Sequence, residues 1–263
     1  MGGRIGRRRR RGQFLILTAV ALVISILLIS TILNNSMISR TEYLEINFRE
    51  VTQKISTDFP KALGGALANA SLTYKAKVSA ASAQSNAEIY LAKWRENVMN
   101  KYVGFGVKLN ITDPIIELEW ETPNEGRSFI TADIELALTT LGFSGWADTR
   151  SVGVHAQVHR TPESVIVTPN KLTFNMTLTK ENGDPIASLT NELLEIRAHY
   201  IGAQQAYQSL NMSSAKLRYF DNGLYNITVE TDRIIDAFQL FAFDDRGIVV
   251  GLVVDLAIPP DVA

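Results

Sequence analysis

The chain has 263 residues, with 26 lysines and arginines against 27 aspartates and glutamates, and it contains no cysteine. The lack of cysteine excludes disulfides, thiol catalysis and thiolate metal sites. Six arginines lie within the first eleven residues, which leaves 20 basic and 27 acidic side chains, a formal charge of −7, on the remainder. Because nucleic-acid binding needs a basic face, this acidic remainder argues against it.

The N-terminal segment joins a run of five arginines, Arg7 to Arg11, to an uncharged apolar stretch from Phe14 to Leu33. Twenty helical residues span about 30 Å, the thickness of the hydrocarbon core of a bilayer. Because cationic flanks stay in the cytoplasm, we expect residues 1–12 to be a cytoplasmic tail and residues 13–39 a transmembrane helix with its exit. The apolar run is longer than that of a cleaved secretory signal. The sequence therefore predicts an uncleaved, single-pass anchor in the cell membrane, with everything after it extracellular.

The same junction contains the tripeptide Arg11-Gly12-Gln13, directly before the apolar helix. This pattern resembles the processing site of archaeal type IV pilin precursors, the class III signal group. The resemblance implies cleavage after Gly12, a mature N-terminus at Gln13, and assembly with other copies through the apolar helix. At the position where many pilins carry a glutamate, this chain has Leu17, and this departure favours a permanent anchor.

Residues 40–103 are predicted to form a helical stalk or packing layer. A first apolar stripe has helical spacing and is followed by Pro60, which we expect to break or kink the helix. Residues 61–83 are rich in alanine and serine, which predicts a weaker helix. A third helical run carries an apolar face made of Ile89, Tyr90, Trp94, Val98, Met99 and Tyr102. The stripes are too short for a coiled coil, which favours packing against the rest of the chain.

From Val107 onward the apolar period changes from 3.6 to 2, which predicts antiparallel strands with one solvent face. We expect residues 104–160 to form a first antiparallel β unit, with a break at Asp113-Pro114. Residues 161–263 are expected to form a second unit. Within it, turn sequences at 181–185, 221–223 and 244–247 separate short strands.

The second unit contains the stretch Tyr219–Val229, whose sequence is YFDNGLYNITV. It resembles the tyrosine-bearing late hairpin of bacterial and archaeal immunoglobulin-like surface domains, loosely over residues 164–258. The resemblance implies a β-sandwich and carries no activity with it. The predicted fold class is therefore a membrane-anchored α+β chain: one transmembrane helix, a helical stalk, and antiparallel, immunoglobulin-like β-sandwich units.

Possible N-glycosylation acceptors follow the apolar span, and each begins an N-x-S/T triplet. They are Asn34, Asn69, Asn110, Asn175, Asn211 and Asn226. Their position agrees with an outward-facing chain. Asn175 and Asn226 lie in strand-like patterns, which makes them poorer acceptors if they face a neighbouring strand.

Few residues suggest metal binding. His155 and His159 alternate with valines, and four residues along a strand cover about 13 Å, too far for one zinc ion to bridge. His199 has no evident partner in the sequence. Acidic residues in the turns could ligate Ca²⁺, but β-turns also select aspartate and asparagine for backbone reasons. These acidic residues are Glu181, Asp184, Asp221, Asp244 and Asp245.

The sequence predicts a surface protein with a structural or adhesive role, without catalysis, cofactor or metal. The expected partners are the lipid bilayer and either other envelope proteins or further copies of the chain, with no nucleic acid and no small-molecule substrate. Two alternatives stay open. One is the pilin-like subunit, and the other is an extracellular hydrolase whose carboxylates are brought together only by folding.

Overall fold

The computed structural model describes residues 5–77, 79–139, 143–159, 165–168, 171–200 and 207–256. The chain divides into two compact units, residues 1–53 and residues 54–263. Two helices, Ile5–Lys75 (α1) and Ala80–Lys101 (α2), precede an antiparallel β region. The predicted order of an N-terminal apolar helix, a helical segment and antiparallel sheets is therefore confirmed.

The first unit contains the apolar part of α1. Its window Thr18–Asn35 is long and apolar enough to cross a membrane, with a mean hydropathy of 2.0, and none of it is buried within the protein. The hydroxyls of Ser25 and Thr31 donate to carbonyl oxygens one turn back along the helix, so neither leaves a donor unsatisfied in an apolar environment. By length and composition, a helix of this kind fits a membrane anchor or a signal sequence, and the predicted topology stays a prediction.

In the second unit, the end of α1 and α2 form an antiparallel helical pair. The indole N–H of Trp94 donates to Asp58 across the pair at 3.0 Å. Further along, a Cβ on Gly65 would lie 2.4 Å from the hydroxyl oxygen of Tyr90. A glycine at position 65 therefore allows the two helices to approach closely.

Helix α1 continues through Pro60 to Lys75, so the expected break at this proline is wrong. The segment around and after this proline, residues 59–71, is also the most deeply buried part of the helix rather than a loosely packed one. Its residues with at most 4% exposure are Phe59, Ala62, Leu63, Ala66, Leu67, Ala70 and Ser71. Burying one large apolar side chain contributes about 1.5–3 kcal/mol, so a few of them offset the roughly 3 kcal/mol that an interior proline costs.

The apolar face predicted for α2 is wrong at two positions, because Ile89 and Tyr90 are 51% and 36% exposed. The helix instead buries smaller side chains on another face. The buried residues of α2 are Ala83, Ala87, Leu91 and Val98. Alanine allows close packing, which a ranking by hydrophobicity alone does not detect.

The β region of the described residues consists of eleven strands. In chain order they are Val107–Glu119 (β1), Glu125–Leu138 (β2), Phe143–Val158 (β3), Val165–Thr168 (β4), Lys171–Lys180 (β5), Leu194–Tyr200 (β6), Gln208–Ser209 (β7), Lys216–Tyr219 (β8), Leu224–Glu230 (β9), Ile235–Phe243 (β10) and Val249–Asp255 (β11). A seven-stranded sheet has the order β1-β2-β3-β5-β9-β8, with β4 paired to β5, and a four-stranded sheet has the order β11-β10-β6-β7.

Turn sequences place several of these strands. Asn222 and Gly223, with φ of 56° and 76°, connect β8 to β9, and Gly183 and Gly247 also have positive φ in their turns. The three predicted turns are therefore confirmed. The expected break at Asp113 is instead a bulge within β1, where the register against β2 shifts and φ is 43°.

The two sheets face each other around Phe174 of β5 and Phe238 of β10, whose ring centroids are 4.9 Å apart. Tyr225 of β9 is also buried and is 1% exposed. Its hydroxyl donates to the carbonyl of Ile186 at 2.7 Å and accepts from the N–H of Leu189 at 3.2 Å. Burial raises the pKa of Tyr225. This tyrosine, in the predicted late hairpin, fixes the connection between β5 and β6.

The seven-stranded sheet combines strands from both predicted β units. Residues 154–158 of β3 pair with residues 176–180 of β5. The predicted boundary at 160/161 falls outside the described residues, and the division into two β units stays a prediction.

Candidate binding cleft

A cleft of about 350 Å³ opens where the C-terminal end of α1 meets the outward face of the four-stranded sheet. Its volume is at the lower end of the range for small-molecule sites, roughly 300–1,000 Å³. The lining residues are Tyr74, Lys75, Lys77, Trp120, Glu121, Arg197, Gln239, Phe241, Leu252 and Val253. Aromatic rings and cations therefore share one concave surface.

Glu195 holds two cations beside this cleft. Lys75 Nζ donates to Glu195 Oε2, and Arg197 Nε donates to Oε1 at 2.6 Å. Burial by itself would raise the pKa of Glu195, but the hydrogen bonds and charges of Lys75 and Arg197 outweigh burial, so this pKa is lowered. The carboxylate is therefore charged at neutral pH and keeps both cations in place.

The two cations also lie over an aromatic ring. Lys75 Nζ is 5.3 Å and Arg197 Cζ is 5.0 Å from the ring centroid of Phe241, and Lys75 Nζ is 4.5 Å from that of Phe243. The guanidinium of Arg197 is therefore preorganised by its contact with the ring of Phe241 and by the hydrogen bond from its Nε to Glu195. Neither of its Nη groups bonds a partner in the described part of the chain, so both can donate to a ligand.

Trp120 forms a rigid wall of the cleft. Its indole N–H donates to Ser128 Oγ at 2.9 Å, and this hydroxyl donates to the carbonyl of Val249 at 2.7 Å. A Cβ on Gly251 would lie 2.8 Å from the indole ring, so only glycine leaves room for it. The ring of Tyr74 meets the indole edge-on, with centroids 4.9 Å apart.

Several polar groups at the mouth of the cleft are unused. Lys77 follows α1 with φ of 58° and is exposed. Its ammonium has no carboxylate partner among the residues that the structure describes. Within the same described residues, the side chains of Glu121 and Gln239 and the hydroxyl of Tyr74 also make no hydrogen bond.

A second arginine cluster lies at the turn before β11. Arg246 Nε donates to Asp244 at 2.6 Å, Nη1 to Glu181 at 3.1 Å, and Nη2 to the carbonyl of Gly153 at 2.9 Å. Asp244 is buried and also accepts the backbone N–H of Arg246 and of Ile248. Burial would raise the pKa of Glu181, but the N–H of Gly153 and the charge of Arg246 outweigh burial and lower it. Two of the acidic turn residues are thus bonded to protein groups.

Two of the three histidines lie beside a carboxylate from a neighbouring strand. His155 Nε2 lies 2.9 Å from Glu125, and His199 Nδ1 lies 2.6 Å from Asp236. The described residues contain no group of three or more histidines and carboxylates that could hold a metal ion. The carboxylate beside His199 was not evident from the sequence, because Asp236 comes from β10 and His199 from β6.

The predicted glycan acceptors differ in exposure. Asn34, Asn69, Asn110 and Asn211 are exposed, whereas Asn175 and Asn226 are half-buried. The last two lie directly opposite each other on β5 and β9, and Asn226 Nδ2 donates to Asn175 Oδ1 at 2.8 Å. A glycan on Asn226 would replace one of the two N–H groups of this amide, directly beside the side chain of Asn175. Glycosylation at all six positions stays a prediction.

Predicted residues at the N-terminus are only partly described. Gly12, Gln13 and Phe14 lie within α1, but their side chains are outside the described part, whereas Leu33 is 59% exposed.

No known protein family, characterised protein or solved structure matches this chain. The residues of the cleft were also missed by sequence reasoning, since Lys75 and Glu195 are 120 positions apart. One signal was present. Glu195, Arg197 and His199 alternate with apolar residues, which places three charged or polar groups on one face of a strand.

Proposed function

We propose that the chain is a single-pass, membrane-anchored surface protein that presents a β-rich extracellular unit with a structural or adhesive role. The observation that carries this proposal is the window Thr18–Asn35, which is apolar and wholly unburied. An exposed apolar surface of this extent is unfavourable in water and marks an interaction with membrane or protein. The adjacent run from Arg7 to Arg11 supports a cytoplasmic N-terminus.

We also propose that the β unit is immunoglobulin-like and non-catalytic. Two antiparallel sheets that face each other support the first point, as does the buried hydroxyl of Tyr225 bonded to backbone at Ile186. The second point is supported by Glu181 and Asp244. Folding brings these carboxylates together, but Arg246 binds both, which favours a structural role over hydrolysis.

The absence of native cysteine allows a direct test of topology. Single-cysteine variants Gly3→Cys, in the tail, and Asn182→Cys, at an exposed turn, are treated with a membrane-impermeant maleimide on intact cells. We expect the variant at position 182 to be labelled at once and the variant at position 3 to be labelled only after lysis. The reverse pattern, or full-length protein in the soluble fraction, contradicts the anchor.

A pilin-like subunit is the second candidate, and one observation favours it. Helix α1 supplies both the unburied apolar window and the buried segment 59–71 of the β-containing unit. One helix that combines an unburied apolar part with a packed part suits a subunit that assembles through its N-terminus. This observation supports the resemblance carried by Arg11-Gly12-Gln13.

N-terminal sequencing of the mature protein separates the two candidates. A permanent anchor keeps the run of arginines, whereas a processed subunit begins at Gln13. A Gly12→Val variant is the control, because it should block processing and leave the arginines in place only if cleavage occurs after this glycine.

A further inference from the structure

We propose that the cleft at the end of α1 binds a single carboxylated sugar ring, with Arg197 pairing with the ligand carboxylate. The proposal rests on the proposed function only for the source of the ligand, an acidic polysaccharide outside the membrane. The chemistry of recognition depends on the residues of the cleft alone.

The charges of the cleft favour an anion. Lys75, Lys77 and Arg197 are cationic, and the carboxylates beside them are Glu195 and Glu121. Lys75 and Arg197 share one carboxylate, so Glu195 neutralises them only in part. One negative charge on a ligand would balance the excess.

The geometry of Arg197 selects a carboxylate. Its Nε is bonded to Glu195, and its Cζ lies 5.0 Å from the ring centroid of Phe241, so the side chain is already ordered before a ligand arrives. The two remaining Nη groups form a fork that matches the two oxygens of a carboxylate. Lys77, which is exposed at the mouth, adds a second donor within the same lining.

The rest of the lining favours a sugar as the body of the ligand. The half-buried ring of Tyr74 and the side chain of Val253 provide an apolar surface, while Gln239, Glu121 and the hydroxyl of Tyr74 provide donors and acceptors. The C–H face of a sugar ring suits the first group, and its hydroxyls suit the second. A purely apolar acid would exclude water from these polar groups without replacing the hydrogen bonds. The volume of about 350 Å³ suits one ring.

The test uses the full chain in detergent micelles and isothermal titration calorimetry. Galacturonate is the probe, galactose is its matched neutral counterpart, and benzoate is an apolar ring acid. We expect galacturonate to bind at least about tenfold more tightly than galactose, the loss that one charged hydrogen bond predicts, and to bind more weakly as salt rises. Equal binding of the two sugars, or binding of benzoate without galacturonate, overturns the proposal.

Two variants assign the interaction to the cleft. Arg197→Gln should weaken galacturonate binding about tenfold or more, and Lys77→Gln about threefold, as an exposed ion pair predicts. Arg218→Gln, on β8, is the control and should leave binding unchanged. Should Arg197→Gln fail to fold, the exposed Lys77→Gln and the salt dependence decide. Unchanged binding in both cleft variants contradicts the site, and this result leaves the topology measured by labelling unaffected.

Discussion

Arg246 and Arg197 are both bound by carboxylates, but their guanidinium groups are used to different extents. The Nε of each donates to a carboxylate at 2.6 Å. Arg246 also uses Nη1 and Nη2, on Glu181 and on the carbonyl of Gly153. Arg197 leaves both Nη groups without a partner among the described residues. We therefore expect unused donors, rather than the presence of an ion cluster, to distinguish a candidate binding site from a structural cluster.

The surroundings explain this difference. Asp244 has no exposed side-chain surface, and a buried carboxylate must be paired and hydrogen-bonded to be stable. Arg246 follows it by two residues in the same turn, so the pair forms locally. Arg197 projects from the outward face of β6, where water can satisfy its remaining donors until a ligand replaces it.

The largest expected effect is the loss of the saturated cluster. Arg246→Met leaves Glu181 and Asp244 without their cation and should lower the free energy of unfolding by about 3 kcal/mol or more. Arg197→Met is the matched control and should cost about 1 kcal/mol or less. Urea denaturation of the full chain, followed by circular dichroism, measures both. Similar losses for the two variants would show that the comparison is wrong.

A smaller loss is expected at the wall of the cleft. Gly251→Ala places a Cβ 2.8 Å from the indole of Trp120 and 3.0 Å from Phe241. Such overpacking should cost about 1–3 kcal/mol and also weaken galacturonate binding, because the wall must move. Gly104→Ala is the control, since its Cβ would meet nothing within 4 Å. Unfolding and calorimetry of both variants test this, and retention of full binding by the variant at position 251 would contradict the role of this wall.

Acid should destabilise both clusters. Glu181 and Glu195 have a pKa below the ordinary value of 4.5. Their stabilising contribution is therefore complete above pH 4.5 and is lost as pH falls through the lower pKa of the folded state. We expect Glu181→Gln to reduce stability at pH 7 and to flatten its decline below pH 4.5. Glu195→Gln should act in the same direction, and urea midpoints measured from pH 7 to pH 3 follow both. A decline as steep as that of the unmodified chain in both variants contradicts the assignment.

The smallest expected effect is at the mouth of the cleft. Lys77 is exposed and has no partner among the described residues, so Lys77→Gln should change the free energy of unfolding by no more than about 0.5 kcal/mol. Its effect on galacturonate binding should be larger than its effect on stability. Thermal unfolding measures the effect of Lys77→Gln on stability, and titration calorimetry measures its effect on galacturonate binding. A loss of stability without a loss of binding would contradict a role for Lys77 in the cleft.

Local features of the fold, such as the turns, could be predicted from the sequence, whereas the packing of the helices could not. The turn at Asn222-Gly223 needs two residues that tolerate positive φ. Asparagine and glycine are such residues and are adjacent in the sequence, so the turn can be predicted locally. Helix α1 does not break at Pro60, because the burial of residues 59–71 outweighs the local cost of the proline. Ile89 is exposed although it is strongly apolar, because α2 buries Ala83 and Ala87 on its packed face.

The cleft could not have been predicted from one sequence for a related reason. Its essential contact joins Lys75, at the end of a helix, to Glu195, on a strand 120 positions later. Nothing local in the sequence relates these two residues. The alternation of polar and apolar residues along β6 indicates one polar face, but only the fold shows that α1 and Trp120 enclose it.

The backbone of Lys77 has a further consequence. Its φ of 58° lies in the left-handed region, where glycine is usual after a helix and a side chain costs about 1 kcal/mol. Lys77→Gly would therefore be expected to relax the end of α1 while it removes the ammonium from the mouth of the cleft. At this one position, selection for stability alone and selection for ligand capture would choose different amino acids.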